Sequence, residues 1–332
     1  MKIKSVIIKF VQIFKNIFIY CKEIIISINN KSTRIAFTNF KDVPYDFFLF
    51  VIDKLFSDKY YIVKFLKPHI NFFSVFGKKN KIEKSKAACK IFFTGENNNF
   101  FRNGEYKGNC IDSVNLSFGF DYMDSENYFR FPLWLLYYFH PNNTKDDIRK
   151  ILNSFNKKYK KDKFCSLVAS HDKNNIRNKM YNFISKIDHV DCPGSLLHND
   201  DSLHTIFSND KEIYLQQYKF NICPENSNSP GYVTEKIFQS LYSGCIPIYY
   251  GWSKDPEPDI LNPNIILWYD NLDSENSYLY NEILKLNSNA MLYKDFMNQQ
   301  VFCDTAVDKI FFMLDQFQTK IYDTIKYSLG SN

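Results

Sequence analysis

The stretch Tyr218–Gly251, YKFNICPENSNSPGYVTEKIFQSLYSGCIPIYYG, decides the fold of this 332-residue chain. Two short apolar, β-branched and aromatic runs, Phe220–Cys223 and Cys245–Tyr250, are bounded by turn-forming residues and are therefore predicted to be buried strands. Between them, Thr234–Ser243 has the apolar spacing of a helix, and Gly244 follows at the position that favours a left-handed residue. Strand, loop, helix and strand make a βαβ unit, so the two strands are predicted to be parallel neighbours.

The loop of this unit, Pro224–Tyr232, is predicted to bind an anion such as a diphosphate. It follows the carboxyl end of a parallel strand and leads into a helix N-terminus, where free N–H groups and the helix dipole favour negative charge. Lys236 lies in the first helical turn, where a cation opposes the dipole, so an anionic partner would explain its position. Glu235 also has a simpler interpretation, because acidic residues in a first turn ordinarily offset the dipole.

A second unit of the same type precedes this one. Ser166–Ser170 is predicted to be a strand and Asn174–Ile187 an amphipathic helix, with Arg177 in its first turn. Arginine offers phosphate a bidentate fork, and Arg177 and Lys236 occupy equivalent positions after their strands. The pair is predicted to converge on one diphosphate, although a single arginine at such a place is also typical of a solvated helix end.

Length and composition indicate a globular protein, and 332 residues are too many for one small domain and fit two α/β domains. Hydrophobic residues make up 45% of the chain and aromatic residues 18%, which excludes a disordered chain. The net charge is +6, but no lysine block is dense enough for a nucleic-acid stripe, so no nucleic-acid partner is predicted. The eight cysteines include no C-x-x-C pair and no cysteine–histidine cluster at metal-ligand spacing, so no metal site is predicted; disulfides and buried thiols both stay open.

Residues 1–29 are predicted to form an amphipathic helix. Lysines interrupt its apolar sequence, so no run reaches the ~18–20 apolar residues of a membrane-spanning helix. On a helical wheel the polar residues share one side, namely Lys2, Lys4, Lys9, Gln12, Lys15, Asn16, Lys22 and Glu23. Ile8, Ile19 and Ile26 interrupt this side. The opposite side carries Ile3, Ile7, Phe10, Phe14, Ile17 and Phe18. This pattern is typical of an interfacial anchor on anionic lipid, while an uncleaved signal anchor and a helix packed on the protein remain alternatives.

Several segments resemble the α1,3-fucosyltransferases of glycosyltransferase family 10, which transfer fucose from GDP-fucose to a glycan. The donor-binding signature of that family is similar to the runs KFNIC, ENS and GYVTEK in the stretch quoted above. Further similarity lies in Thr94–Asn97 (TGEN), Ser117–Asp121 (SFGFD), Tyr128–Pro132 (YFRFP) and Phe164–Ser170 (FCSLVAS). Where the family commonly has an aromatic residue before ENS, this chain has Pro224, which removes a backbone donor and fixes φ.

The resemblance implies an α/β fold with two Rossmann-like domains facing across a cleft, the GT-B type. The domains expected are an N-terminal helix at residues 1–29, an acceptor-side domain at 30–158, and a GDP-fucose-binding domain with C-terminal helices at 159–332. By the same resemblance, Arg177 and Lys236 neutralise the diphosphate of the donor. Asn226, Tyr232 and Glu235 match positions around the guanosine, ribose and fucose, whereas Glu225 has no assigned role.

Glu96 is the residue that the resemblance implies as general base. It lies in TGEN, directly after Lys90–Thr94. That segment and Thr33–Phe37 are each predicted to be a strand of the first domain. An inverting sugar transfer passes through an oxocarbenium-like transition state. Fixed cations must stabilise the departing diphosphate, and a carboxylate must accept the acceptor's hydroxyl proton. Without the resemblance, a single glutamate in a polar turn is usually only solvated. The chain has no D-x-D triplet, so no metal and no required cofactor are predicted.

The chain is thus predicted to be an inverting glycosyltransferase that moves fucose from GDP-fucose to a GlcNAc-containing glycan in α1,3 linkage. Its partners would be GDP-fucose, a glycan acceptor and a membrane surface, on the cytoplasmic face in a bacterium or in the Golgi lumen in a eukaryote. N-acetyllactosamine-type chains and the chitobiose core of N-glycans both remain open as acceptors. The alternatives are a GT-B transferase for another nucleotide sugar and a non-catalytic, membrane-associated protein that binds glycan or nucleotide.

Overall fold

The computed structural model of the protein describes residues 15–25, 32–41, 45–57, 59–271, 274–275 and 277–330. These residues form two compact units. The first contains the described residues up to Gly119, Met123–Arg130 and the described residues from Asp315 onward; the second contains Phe120–Tyr122 and Phe131–Leu314. This is a different division from the predicted domains, whose boundary at residues 158 and 159 stays a prediction.

The first unit is built on a six-stranded sheet with the order β2-β1-β3-β4-β5-β6, in which every neighbouring pair is parallel. Its strands are β1 (Thr33–Thr38), β2 (Tyr60–Ile62), β3 (Ile70–Phe73), β4 (Cys89–Phe93), β5 (Leu116–Gly119) and β6 (Tyr128–Arg130). Its helices are α1 (residues 15–25), α2 (Tyr45–Phe56) and α3 (Asn80–Glu83). The strands are short and, apart from β1, mostly apolar, as is typical of parallel strands covered on both faces.

Aromatic rings fill the core of the first unit. Phe317, on the C-terminal helix α12 (Ala306–Leu329), packs among rings from helix α2 and strand β5. Its ring centroid lies 5.1 Å from that of Phe47, 5.7 Å from that of Phe48 and 4.7 Å from that of Phe118. All four side chains are buried. The distal half of α12 therefore completes the core of a unit whose other residues come from the first part of the chain.

The second unit is built on a five-stranded sheet with the order β11-β10-β9-β7-β8, again with every neighbouring pair parallel. Its strands are β7 (Lys163–Ser166), β8 (Val190–Asp191), β9 (Tyr218–Ile222), β10 (Ile246–Tyr249) and β11 (Leu267–Trp268). Its helices are α4 (Trp134–Tyr138), α5 (Lys145–Ser154), α6 (Ile176–Ile184), α7 (Ser202–Thr205), α8 (Lys211–Leu215), α9 (Glu235–Tyr242), α10 (Tyr278–Ser288), α11 (Ala290–Met297) and the first part of α12.

Most predicted elements are present, and the α/β class with two parallel sheets is confirmed. Strands β1, β4, β9 and β10 fall within a residue or two of their predicted ranges. The predicted strand Ser166–Ser170 is wrong, because β7 spans Lys163–Ser166. The Leu167 N–H still donates to the Asp191 carbonyl of β8 at 2.9 Å, but by Ala169 the chain has left the ladder, since the Ala169 carbonyl accepts from the Leu196 N–H of a loop at 3.1 Å. Helix α6 begins two residues later than predicted because Asn175 adopts a left-handed φ of 60° just before it, and it ends at Ile184, three residues earlier than predicted.

Only part of the predicted N-terminal helix is described. Helix α1 lies inside it, while residues 1–14 and 26–29 lie outside the described residues. In the described part of the chain, no helix combines the length and apolarity needed to cross a membrane. All eight cysteines are free thiols, six of them buried, so the disulfide alternative is not realised in this structure.

Candidate functional site

The predicted βαβ unit forms as β9, α9 and β10. Ile246 pairs with Phe220 and Ile248 with Ile222 in parallel register, so the loop after β9 opens at the carboxyl edge of the sheet. Gly244 has a φ of +66°, which places a left-handed residue after the helix as predicted. A side chain there would also crowd the Lys157 carbonyl oxygen, which lies 3.2 Å from the point that a Cβ would occupy. The loop 223–234 is thus held between two fixed elements.

Pro224 fits this loop without the loss of a sheet hydrogen bond. The N–H groups of Cys223 and Glu225 donate to the carbonyls of Ile248 and Tyr250 at 3.0 and 2.9 Å. Alternate residues of an extended chain face opposite neighbours, so the nitrogen of Pro224 faces away from β10. The departure from the family pattern therefore leaves the exit of β9 regular.

Glu225 organises the base of the loop. Its side chain is fully buried, and its carboxylate accepts hydrogen bonds from the Thr234 N–H at 2.8 Å and the Thr234 hydroxyl at 2.7 Å. The Tyr249 hydroxyl, at the end of β10, donates to the same carboxylate at 3.4 Å. Lys236 Nζ lies 3.3 Å from Glu225 Oε2. One buried carboxylate therefore ties the start of the loop to its end, to helix α9 and to strand β10.

Lys236 is held by oxygen atoms on three sides. Besides Glu225, its Nζ donates to the Thr234 hydroxyl oxygen at 2.7 Å and lies 3.6 Å from Glu235 Oε1. Burial acts to lower the pKa of Lys236, but the carboxylates of Glu225 and Glu235 more than offset it, and the pKa is raised above its usual range. The ammonium is thus a permanent positive charge near the N-terminus of α9, and carboxylates explain its position before any ligand binds.

Glu235, the first residue of α9, is shared between two lysines. Burial acts to raise its pKa, but Lys236 and Lys211 lower it more, so the carboxylate stays ionised. Lys211, at the start of α8, donates from Nζ to Gln239 Oε1 at 2.9 Å, and burial lowers its pKa. The dipole interpretation of Glu235 is also supported, because its carboxylate interacts with its own backbone N–H at the helix start.

Arg177 and Asn226, two of the predicted donor-binding residues, are in direct contact. The side chain of Arg177 is buried to 6% exposure, and its Nη2 donates to Asn226 Oδ1 at 2.6 Å. Its Nη1 donates to the His171 carbonyl in the loop after β7. Burial lowers the pKa of Arg177, partly offset by Asp172, Glu225 and Tyr232. These contacts use two of the five guanidinium N–H groups, which leaves part of the fork for a ligand.

Tyr232 and Gly231 form the wall of a cavity at the end of the loop. The cavity has a volume of about 280 Å³ and is lined partly by the rings of Tyr122, Tyr232, Tyr249 and Trp252. Gly231 has a φ of +76°, and a Cβ there would lie 2.6 Å from the Phe120 carbonyl oxygen. Only glycine fits this conformation and this space. The volume is close to the lower end of the range of ~300–1,000 Å³ for small-molecule sites.

Glu96 belongs to the first unit, whereas the site residues described so far belong to the second. It follows β4, as predicted, in a turn where its N–H donates to the Thr94 hydroxyl at 3.0 Å and that hydroxyl donates to its carbonyl at 3.2 Å. Thr94 is fully buried, whereas Glu96 is partly exposed. A buried threonine thus fixes the backbone beneath a more accessible carboxylate, and the role of Glu96 as a base stays a prediction.

Sequence reasoning placed Arg177, Asn226, Tyr232, Glu235 and Lys236 at one edge of the second sheet, and the structure brings them together there. It did not find the role of Glu225 or the presence of Lys211. The available signal for Glu225 was Lys236 itself: a lysine in a first helical turn requires a nearby anion, and that anion is part of the chain.

Within the described residues, no group of three or more histidine, cysteine, aspartate or glutamate side chains is placed to hold a metal ion. That the protein needs no metal and no other cofactor stays a prediction.

Comparison with known proteins agrees with this geometry. Residues 157–316 match the profile described as glycosyltransferase family 10 (fucosyltransferase) C-term, and residues 35–137 match that of the α-(1,3)-fucosyltransferase FucT N-terminal domain. The Helicobacter pylori α-(1,3)-fucosyltransferase FucT is 30% identical over 257 residues, which cover 67% of this chain and 50% of that protein. The chain thus spans about half the length of this curated relative.

Solved structures share the fold. A crystal structure of an α1,3-fucosyltransferase superposes with a TM-score of 0.58 at 22% identity, covering 88% of this chain and 92% of that one. A crystal structure of α1,3-fucosyltransferase with GDP-fucose gives a TM-score of 0.54 at 22% identity, covering 87% and 90%. The two-Rossmann fold of the GT-B type is therefore confirmed. Since both halves of the chain match fucosyltransferase profiles, the protein belongs to glycosyltransferase family 10, the fucosyltransferase family.

Proposed function

We propose that this chain is an inverting α1,3-fucosyltransferase that moves fucose from GDP-fucose to a GlcNAc-containing glycan. The observation that carries the proposal is the Arg177–Asn226 contact beside Lys236, at the loop of a βαβ unit within the family match. Two cations from neighbouring βα turns contact residues of one loop, Arg177 at Asn226 and Lys236 at Glu225, an arrangement suited to binding a diphosphate. The names of the matched relatives supply the sugar and the linkage.

In the proposed reaction, GDP leaves the anomeric carbon of fucose as the acceptor oxygen attacks the opposite face. The diphosphate gains negative charge, and the guanidinium of Arg177 stabilises it through its remaining N–H groups. Lys236 contributes a fixed positive charge from the start of α9, oriented by its contacts to Glu225 and Thr234. The acceptor hydroxyl loses its proton to the carboxylate of Glu96, which gives a neutral product glycan and GDP.

The other proposed donor-binding residues surround this pair. Asn226 orients Arg177 and is available to the nucleoside, and Tyr232 presents a ring in the aromatic-lined cavity. Glu235 completes the group near the sugar. No divalent cation is needed in this scheme, because protein cations take its place at the leaving group.

The test is direct incubation with GDP-fucose and a panel of acceptors, including N-acetyllactosamine and the chitobiose core, with product linkage determined. Fucose in α1,3 linkage to GlcNAc supports the proposal. Transfer only from another nucleotide sugar in a parallel donor panel would favour the related transferase instead. Glycan or nucleotide binding without any turnover would make the protein a binding module.

We also propose that the protein works at a membrane surface. The support is the basic amphipathic pattern of residues 1–29, which is typical of interfacial helices. Sedimentation of the purified chain with lipid vesicles, and its release when residues 1–29 are deleted, tests this part separately from transfer.

A further inference from the structure

Helix α1 contacts the first unit through Glu23 and Asn16, two residues of its polar side. Glu23 is buried to 5% exposure, and its carboxylate accepts three backbone N–H groups: from Lys64 at 2.7 Å, from Phe65 at 3.1 Å and from Leu66 at 3.0 Å. Asn16, on the same side of the helix, accepts from Lys64 Nζ at 3.1 Å. A carboxylate with three donors is strongly held, so it fixes which side of α1 faces the protein.

The opposite side of α1 is apolar and exposed. Phe18 is 71% exposed, Ile25 60% and Ile17 53%, and Cys21 between them is also exposed. With 3.6 residues per turn, these four side chains fall within an arc of about 100°. A helix on the surface of a soluble domain ordinarily has the reverse orientation, with its apolar side toward the core. The orientation of α1 therefore exposes an apolar strip and buries Glu23 against the protein.

The strip continues onto the neighbouring loop and is flanked by positive charge. The ring of Tyr20 meets the ring of Phe65 edge-to-face at 6.2 Å, and Phe65 is 42% exposed. Four exposed lysines stand around this surface: Lys15 and Lys22 on the helix, and Lys64 and Lys67 on the loop. Lys64 Nζ lies 5.2 Å from the centroid of the Phe65 ring. Apolar side chains that enter the acyl region, flanked by lysines at headgroup level, match an anionic bilayer.

We infer that the outward face of α1, formed by Ile17, Phe18, Cys21 and Ile25 and extended by Tyr20 and Phe65, is the surface by which the first unit lies on an anionic lipid membrane. The inference rests on the proposed membrane association and specifies its contact residues and lipid class. The three hydrogen bonds accepted by Glu23 hold α1 in the orientation that directs this face away from the protein. The helix lies in the plane of the interface and does not cross it.

The test is binding of the full chain to vesicles of phosphatidylcholine, alone or mixed with phosphatidylglycerol, measured by co-sedimentation. The variant Phe18→Ser/Ile25→Ser is expected to bind the mixed vesicles about tenfold more weakly or worse, because two apolar side chains no longer enter the bilayer. The matched control is Ile206→Ser/Tyr278→Ser, which removes two side chains of similar exposure, 70% and 81%, from the second unit. The control should bind like the unaltered chain.

Lipid charge provides a second measurement. Binding should fall when phosphatidylglycerol is omitted, and also when salt is raised from about 0.1 M to about 1 M, which shortens the screening length from about 10 Å to about 3 Å. The circular dichroism spectrum and the urea unfolding midpoint of the Phe18→Ser/Ile25→Ser variant should equal those of the unaltered chain, which shows that the variant is folded.

The outcomes separate the two proposals. If the unaltered chain binds no vesicles, the membrane part of the proposed function fails. If it binds and the Phe18→Ser/Ile25→Ser variant binds equally well, lipid is contacted elsewhere and this inference is overturned. Equal loss in the control variant would also overturn it. If light scattering without vesicles shows a dimer that the variant cannot form, a second copy covers the strip instead of lipid.

Discussion

The buried pair of Glu225 and Lys236 makes a prediction about stability as well as about ligand binding. Lys236→Met removes the ammonium but keeps an apolar stem, and leaves the fully buried carboxylate of Glu225 without its cation. Loss of one partner from a buried ion pair typically costs about 3–5 kcal/mol. We therefore expect this variant to lose about that much free energy of unfolding, in addition to any loss of GDP affinity.

Glu225→Gln should cost less, about 1–3 kcal/mol, since glutamine keeps an acceptor for the Thr234 N–H and Lys236 still has Glu235 within 3.6 Å. The double variant Glu225→Gln/Lys236→Met should be more stable than Lys236→Met alone, because no uncompensated charge remains. The double-mutant cycle formed by the unaltered chain and these three variants then gives an interaction free energy of about 1–3 kcal/mol, in the range known for residues in contact. Two losses that simply add would refute the proposed pairing.

Urea unfolding followed by tryptophan fluorescence is the assay, because all three tryptophans, Trp134, Trp252 and Trp268, lie in the second unit. A matched control is Lys309→Met in the same unit, where the partner Asp259 lies at 3.0 Å but both side chains are more than half exposed. An exposed pair is worth about 0–1 kcal/mol, so the control should lose little.

GDP titration of the double variant then separates the two roles of Lys236. Restored stability with GDP binding still weakened by about 1.5–3 kcal/mol means that Lys236 contacts the nucleotide directly. Restored stability with normal GDP binding would show that Lys236 serves only to neutralise Glu225, and that part of the proposed donor site would be wrong.

Three further predictions concern single residues. Glu96→Gln should leave GDP affinity near that of the unaltered chain while transfer falls by about 10²- to 10⁴-fold, and Glu105→Gln in the same unit should leave transfer unchanged; normal turnover by a folded Glu96→Gln variant would remove the proposed base. Arg177→Ala should weaken GDP binding by about 1.5–3 kcal/mol in a calorimetric titration, whereas Arg149→Ala, on an exposed helix, should not; equal affinities would refute a diphosphate contact. Gly231→Ala should destabilise the second unit by about 1–3 kcal/mol, since φ is +76° and the added Cβ meets the Phe120 carbonyl; an unchanged denaturation midpoint would contradict the strain argument.

The spacing of apolar residues and the position of turn residues were sufficient to predict those strands and helices whose bounds depend only on neighbouring residues in the sequence. The β9–α9–β10 unit was predicted from two apolar runs, the helical spacing of apolar residues between them, and Gly244 after the helix. Each of these signals depends only on residues close in the sequence. The error at β7 shows the limit of this reasoning. The run Ser166–Ser170 is apolar enough to be a strand, but β7 ends at Ser166, where its pairing with β9 ends. The spacing of apolar residues along the sequence does not show where pairing with a neighbouring strand stops.

The network around Glu225 could not be predicted for a related reason. Its partners Thr234, Lys236 and Tyr249 come from a loop end, a helix and a second strand, so the contacts exist only after the unit has folded. The sequence indicated that Lys236 needed an anion, and the interpretation considered only a ligand, whereas the chain also supplies the carboxylate of Glu225. The same limit applies to α1, because the helical wheel did not say which of its residues face the protein.

The position of Phe317 has a consequence for how the protein is made. Three rings of the first unit, those of Phe47, Phe48 and Phe118, enclose a side chain that the ribosome adds only after the whole second unit. Until then the first unit lacks a core aromatic, a defect worth about 3–5 kcal/mol when made by mutation. Both units therefore need α12, and the first unit, whose strands are made first, keeps an incomplete core and exposed apolar surface until that helix has been made.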